Sequence, residues 1–243
     1  MSKSFFIILS CLSLLTNIAG AAFAAYAVQR FGGMRFLWFR MLHDGSSGLK
    51  KGRMEHLAQL PGTKKDIVFL GDSLTKQCEW HEILHYAHCK NRGLNGDKSD
   101  QVLKRLPQIL ASSPDKIFLM IGINDLVSRE PELVFRNIRG IARQINECSP
   151  STALFIQSIL PVNNFVKDSG VDLEHIDRLN IMLQNYCRET NAEFIDLAPH
   201  FKDQNGWLRA TLSHDGLHLN GKGYQLWANE LKPYTEETFS DDD

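Results

Sequence analysis

Apolar residues in this 243-residue chain fall into three kinds of run. The first is a single long stretch, residues 5–28, almost wholly apolar, inside a segment from Ser4 to Gln29 that carries no charge. At about 1.5 Å per residue such a helix is long enough to cross the roughly 30 Å core of a bilayer. The second kind is short and unalternating: residues 67–70, a weaker run at 89–93, then 117–121, 154–157 and 194–197. Continuous short runs read as strands buried on both faces. The third kind has helical spacing. Val102, Leu103, Leu106, Ile109 and Leu110 share one face, as do Leu133, Val134, Ile138, Ile141 and Ile145, and likewise Ile176, Leu179, Leu183 and Tyr186. Pro114 and Pro150 sit just before strands, where helices should have stopped. Strands alternating with helices predict an α/β fold, a parallel sheet covered on both faces.

The front of the chain supports two readings. It is an uncleaved anchor, or it is a signal peptide with small-residue cleavage sites at Ala22-Phe23-Ala24 or Ala25-Tyr26-Ala27. Lys3 flanks one end of the run, and Arg30, Arg35 and Arg40 flank the other. Residues 31–42 mix Phe36, Leu37, Trp38, Phe39 and Met41 with arginines, a composition that suits a membrane interface or a helix packed on the domain. Asp44-Gly45-Ser46-Ser47-Gly48 reads as a linker. The expected organisation is therefore a leader or anchor at 1–30, a juxtamembrane segment at 31–47 and one domain at 48–243. The acidic end, Asp241 to Asp243, reads as a solvated tail.

Net charge is −1, so nothing in the charge balance suggests nucleic acid. Five cysteines, odd in number and without C-x-x-C spacing, do not make a disulfide framework.

Three polar clusters sit where strands end or beyond them. Ser73 lies three residues past Leu70 and Asn124 three past Ile121, while Gly96 follows the second run. In open parallel sheets, sites form beyond the carboxyl ends of the strands. A serine hydroxyl needs a base to take its proton. His218 is the candidate base, and Asp215, three residues earlier on a glycine-containing turn, can fix its tautomer. Donors for a developing oxyanion are the backbone N–H groups of Ser73 and Gly96 and the side-chain amide of Asn124. Asp72 and Asp125 read as loop hydrogen-bonders, and His214 as a loop residue. Taken singly, each residue also fits a turn or a helix cap.

Together these blocks carry a family resemblance. Gly71-Asp72-Ser73-Leu74, the stretch from Asn91 to Asp97, Gly122-Ile123-Asn124-Asp125 and Asp215-Gly216-Leu217-His218-Leu219 resemble the motifs of the SGNH hydrolases, also called GDSL esterases/lipases. The four residues that name that family match Ser73, Gly96, Asn124 and His218. The resemblance covers about residues 48–232. It implies a flavodoxin-like three-layer α/β/α sandwich, strand order 2-1-3-4-5, with no metal or organic cofactor. Residues 67–73, 157–163 and 215–227 look closest to a branch similar to platelet-activating-factor acetylhydrolases and sialate O-acetylesterases. That branch implies a small-molecule ester substrate, an acetylated sugar or lipid alcohol. Asn95 departs from the Gly-Gly or Ser-Gly that relatives carry before the oxyanion glycine.

Three alternatives remain open at this stage: a lysophospholipase or thioesterase using the same residues, a catalytically silent binding protein on this fold, and a zinc hydrolase. The last rests on His81-Glu82-Ile83-Leu84-His85, a literal H-E-x-x-H whose histidines would share a face if the segment were a continuous helix. A strict count of flanking basic residues puts the domain in the cytoplasm, whereas a leader on an esterase argues for export. Export, with the domain membrane-anchored or secreted, is the expectation carried forward. The oligomeric state is not legible.

Overall fold

The computed structural model describes residues 3–30 and 45–235. The aromatic-basic segment 31–42 and the acidic tail lie outside the described residues. The chain divides into two units, Met1–Gly52 and Arg53–Asp243. In the first, α1 (Lys3–Arg30) is a continuous helix, and its stretch Phe5–Arg30 is long and apolar enough to cross a membrane. Next comes α2 (Gly45–Gln59), which crosses the boundary, residues 53–59 belonging to the second unit. Residues 45–48, expected as linker, form its first turn instead. The run Lys50, Lys51, Met54, Glu55, Leu57, Ala58 is made of good helix formers, and it outweighs the glycines and serines in front of it.

The second unit holds a five-stranded parallel sheet of order β2-β1-β3-β4-β5. The strands are β1 (Ile67–Gly71), β2 (Cys89–Gly93), β3 (Lys116–Met120), β4 (Ala153–Gln157) and β5 (Glu193–Ile195). The last is shorter than the expected 194–197. Leu197 turns back to bond the Ile195 carbonyl, and Ala198–Phe201 begins a short helix.

Register explains the core. Phe69 pairs with Phe118, and Phe118 with Phe155. The three rings stack across β1, β3 and β4 at 5.2 and 4.7 Å. Trp80, from the short helix α4 (Trp80–Ile83), stacks on Phe69 at 4.0 Å and meets Trp227 edge-on. Trp227 comes from α10 (Gly221–Thr235), and its indole N–H donates to Gln157 Oε1 at 2.6 Å. That face of the sheet is thus sealed by α4 and α10. Successive side chains alternate faces, so Val68, Leu70, Ile117 and Leu119 point the other way. There they are covered by α5 (Ser99–Leu110), α7 (Pro131–Cys148) and α8 (Leu173–Arg188), packed side by side. The expected faces supply the buried residues: Val102, Leu106, Ile109 and Leu110 on α5, and Ile176, Leu179 and Leu183 on α8. On α7, Leu133 is exposed and the buried stripe runs through Val134, Ile138, Ile141 and Ile145.

Phe118 is fully buried at the centre of the aromatic row. Phe118→Ala is expected to lower stability by about 3–5 kcal/mol in urea unfolding, because no neighbour can collapse into the space of a ring.

Candidate active site

Ser73 opens the short helix α3 (Ser73–Lys76) directly after β1. Asp72 caps it, accepting from the Leu74 N–H at 2.9 Å. The turn is clamped from three sides. Tyr224 O–H donates to the Leu74 carbonyl, Trp80 Nε1 to that of Thr75, and Asn91 Nδ2 to those of Thr75, Lys76 and Cys78. Close packing forbids side chains at the strand ends. A Cβ on Gly93 would come within 2.3 Å of the Lys76 backbone nitrogen, and one on Gly71 within 2.3 Å of the Met120 carbonyl.

The other groups arrive from distant segments. His218 Nε2 stands 3.0 Å from Ser73 Oγ, across 145 residues of sequence. His218 Nδ1 stands 2.8 Å from Asp215 Oδ2, while Asp215 Oδ1 accepts from the backbone N–H groups of His218 (2.7 Å) and Leu217 (3.0 Å). Ser213 closes the turn, its Oγ donating to the His218 carbonyl and accepting from Gly216 N. Burial alone would raise the Asp215 pKa. Hydrogen bonds from the His218 ring and from the two backbone N–H groups outweigh it and hold the carboxyl at about 2. An ionised carboxylate at Nδ1 puts the neutral ring's proton there. Nε2 is left to accept from the serine hydroxyl.

Asn124 lies in the turn α6 (Ile123–Leu126) that follows β3. Its Nδ2 donates to the Asp97 carbonyl at 3.0 Å and faces Asp72 Oδ2 at 3.4 Å. Gly96 adopts φ +66°, a left-handed conformation open to glycine at no steric cost. Among the described residues, neither the Ser73 nor the Gly96 backbone N–H is engaged by a protein acceptor. Asp125, as expected, is a loop hydrogen-bonder: it accepts from Ser99 N and Oγ and pairs with Arg129. His214 is exposed on the loop.

The support beneath Gly96 leaves no signal in the sequence. Arg105 and Asp97 form a buried ion pair at 2.8 Å. Arg105 also donates to the carbonyls of Gly71 and Arg92, so one guanidinium ties the Gly96–Asp97 loop to the ends of β1 and β2. No local spacing signals this. Arg105 sits among polar residues of an amphipathic helix and would be read as solvated.

The H-E-x-x-H segment is not one helix. α4 stops at Ile83, and His85 takes φ +53°, so His81 and His85 do not share a helical face. Among the described residues no group of three or more His, Cys, Asp or Glu side chains is placed to hold a metal ion.

Residues 69–226 match the model of the GDSL-like Lipase/Acylhydrolase family. The chain belongs to that family. This acylhydrolase is 29% identical over 168 residues to platelet-activating factor acetylhydrolase IB subunit alpha1 of Rattus norvegicus, an alignment covering 65% of this chain and 70% of the relative. A Streptococcus pneumonia protein described as a platelet activating factor superposes with a TM-score of 0.71 at 26% identity, covering 82% of this chain and 98% of that one. A GDSL-like lipase of Bacteroides thetaiotaomicron superposes at 0.66 with 22% identity, covering 78% and 98%. The acylhydrolase is accordingly a hydrolase of the esterase class.

Asp72 makes the stability of this acylhydrolase depend on pH. Burial, and then repulsion from Asp97 and Asp125, outweigh the Leu74 N–H bond and raise its pKa from 3.8 to about 7. A raised carboxyl pKa means that the fold favours the neutral form. Its contribution is complete below pH 3.8 and is lost as pH climbs through 7. Asp72→Asn should flatten the stability–pH curve between about pH 4 and 7. Parallel slopes for parent and variant in urea titrations would contradict this.

Proposed function

We propose that the enzyme removes short acyl groups, acetyl foremost, from a sugar or lipid alcohol by way of an acyl-enzyme. The observation that carries the acyl-enzyme route is the unbroken chain Ser73 Oγ–His218 Nε2 and His218 Nδ1–Asp215 Oδ2, at 3.0 and 2.8 Å, and the likeness to a platelet-activating factor acetylhydrolase supports acetyl as the group removed. In this reading His218 takes the serine proton as Oγ attacks the ester carbonyl, and Asp215 steadies the imidazolium that results. The oxyanion is met by the N–H groups of Ser73 and Gly96 and by Asn124 Nδ2. His218 then passes its proton to the departing alcohol oxygen. A water repeats the sequence on the acyl-serine, releasing the acid and restoring the hydroxyl. Every step is a proton transfer or the addition or expulsion of an oxygen at one carbonyl, chemistry that side chains and backbone N–H groups can carry.

A longer-chain, lysophospholipase-like or thioesterase-like reading has one observation in its favour. Phe165 is 85% exposed and packs edge-on against Trp207. It lies two residues from Asn163, whose N–H bonds the Gly216 carbonyl in the Asp215–His218 turn. An apolar rim beside the proposed base suits an acyl chain or lipid alcohol. The apolar helix Phe5–Arg30, as an anchor or a leader, supports a domain that works at or beyond a membrane.

Ser73→Ala should abolish turnover of p-nitrophenyl acetate and labelling by a fluorophosphonate, with unfolding midpoints unchanged. Retained turnover would remove Ser73 from its role. A parent protein that takes no label would favour a silent binding fold. Asn124→Ala should lower kcat by about 10²–10³ if its amide meets the oxyanion. A series of p-nitrophenyl esters decides chain length: the primary reading expects kcat/KM to fall beyond butyrate.

A further inference from the structure

On the sheet face beneath α5, between that helix and the end of α2, lies a cavity of about 300 Å3. None of Ser73, Gly96, Asn124 or His218 lines it. Its walls are apolar at Leu57, Val68, Leu94 and Ile109, and they carry two guanidiniums, Arg92 and Arg105. Arg105 is spoken for by Asp97 and by two backbone carbonyls. Asp66, also on the wall, is occupied as well: its oxygens take Thr63 N at 2.9 Å and Thr63 Oγ1 at 2.8 Å, with His88 and Lys90 at 3.5 and 3.8 Å. Arg92 is different. Its one recorded bond is a 3.4 Å contact from Nη1 to the Asn91 carbonyl, and it forms no ion pair among the described residues. Half-buried, it feels the attraction of Asp66 at longer range and the repulsion of Arg53 and Arg105. A half-desolvated guanidinium with no carboxylate in direct contact is costly, and its planar fork matches an oxyanion.

We propose that this cavity is a second ligand site, binding an alkyl monocarboxylate with its head on Arg92 and its chain along Leu57, Val68, Leu94 and Ile109. Charge selects the head group. Arg105 is matched by Asp97, and Asp66 is held by Thr63 and Lys90, so Arg92, with Arg53 nearby, keeps an unmatched positive charge at the cavity wall. A single negative charge neutralises it, whereas a dianionic phosphate would bring a surplus charge against Asp66. Size selects the tail. A volume near 300 Å3 is at the small end of ligand pockets, enough for a medium chain but not for a two-tailed lipid. The apolar walls provide the burial that a bare inorganic anion could not use.

Photolabelling of the full chain tests this. The probe is a medium-chain alkyl carboxylate bearing a diazirine, with adducts mapped by mass spectrometry. Labels are expected on residues 54–60 and 92–112. Excess octanoate should suppress them and octanol should not. Arg92→Met should cut labelling about tenfold or more, since it removes the charge-assisted bonds. Ala58→Trp fills the exposed rim while leaving Arg92 in place, and it should cut labelling equally; Ser73→Ala should leave it intact. Should Arg92→Met fail to fold, Ala58→Trp and the octanol control decide. Labels confined to other segments, equal competition by octanol, or full labelling of Arg92→Met or of Ala58→Trp would overturn the proposal.

Discussion

The site depends on two missing side chains. At the carboxyl ends of β1 and β2, Gly71 and Gly93 let the α3 turn and the β3 carbonyl approach to distances that no Cβ could tolerate. This close contact holds Ser73 down on the sheet edge instead of out on a loop. Everything else converges on a point it defines. The Asp215–His218 turn reaches the serine from one side, and Asn124 arrives from the end of the neighbouring strand. The Gly96 loop is pulled in by Arg105, which grips the Gly71 and Arg92 carbonyls with the same guanidinium that pairs with Asp97.

Two carboxylates near the serine are driven in opposite directions by their surroundings. Asp215 is half open to water and surrounded by donors, so it stays charged. Asp72 is enclosed, has one strong donor, and lies near two further carboxylates, so it resists charge. Proximity to the serine therefore does not decide a carboxylate's character; burial weighed against the N–H groups aimed at it does.

Much of the fold was legible because buried parallel strands cannot hide their composition. The runs containing Phe69, Phe118 and Phe155 announce themselves. β2 was faint because it is an edge strand whose Lys90, Asn91 and Arg92 are partly exposed. β5 was overrun by two residues at its carboxyl end because its apolar run continues into a turn that only the tertiary structure ends. The H-E-x-x-H pattern carries no metal chemistry on its own: its spacing presumes a helix, and the backbone reverses hand at His85. Within the site, Ser73, Asn124, Asp215 and His218 were legible because each sits in a short block of characteristic composition. Asp97 and Arg105 were not, since a pair eight residues apart across a loop–helix junction leaves no periodic trace. Arg92 was equally silent, because exposure and the lack of a counterion are properties of the packed molecule.

The long reach between Ser73 and His218 has a consequence for the newly made chain. The imidazole and its carboxylate sit three residues apart and can meet in a local turn. The alcohol is brought to them only when the first strand and the last helix dock on the same sheet. Until then the polypeptide carries the hydroxyl and the ring far apart on an open coil. Under the proposed mechanism an unfinished molecule is therefore harmless to whatever acyl compounds surround it, and reactivity would arrive in one step with closure of the domain.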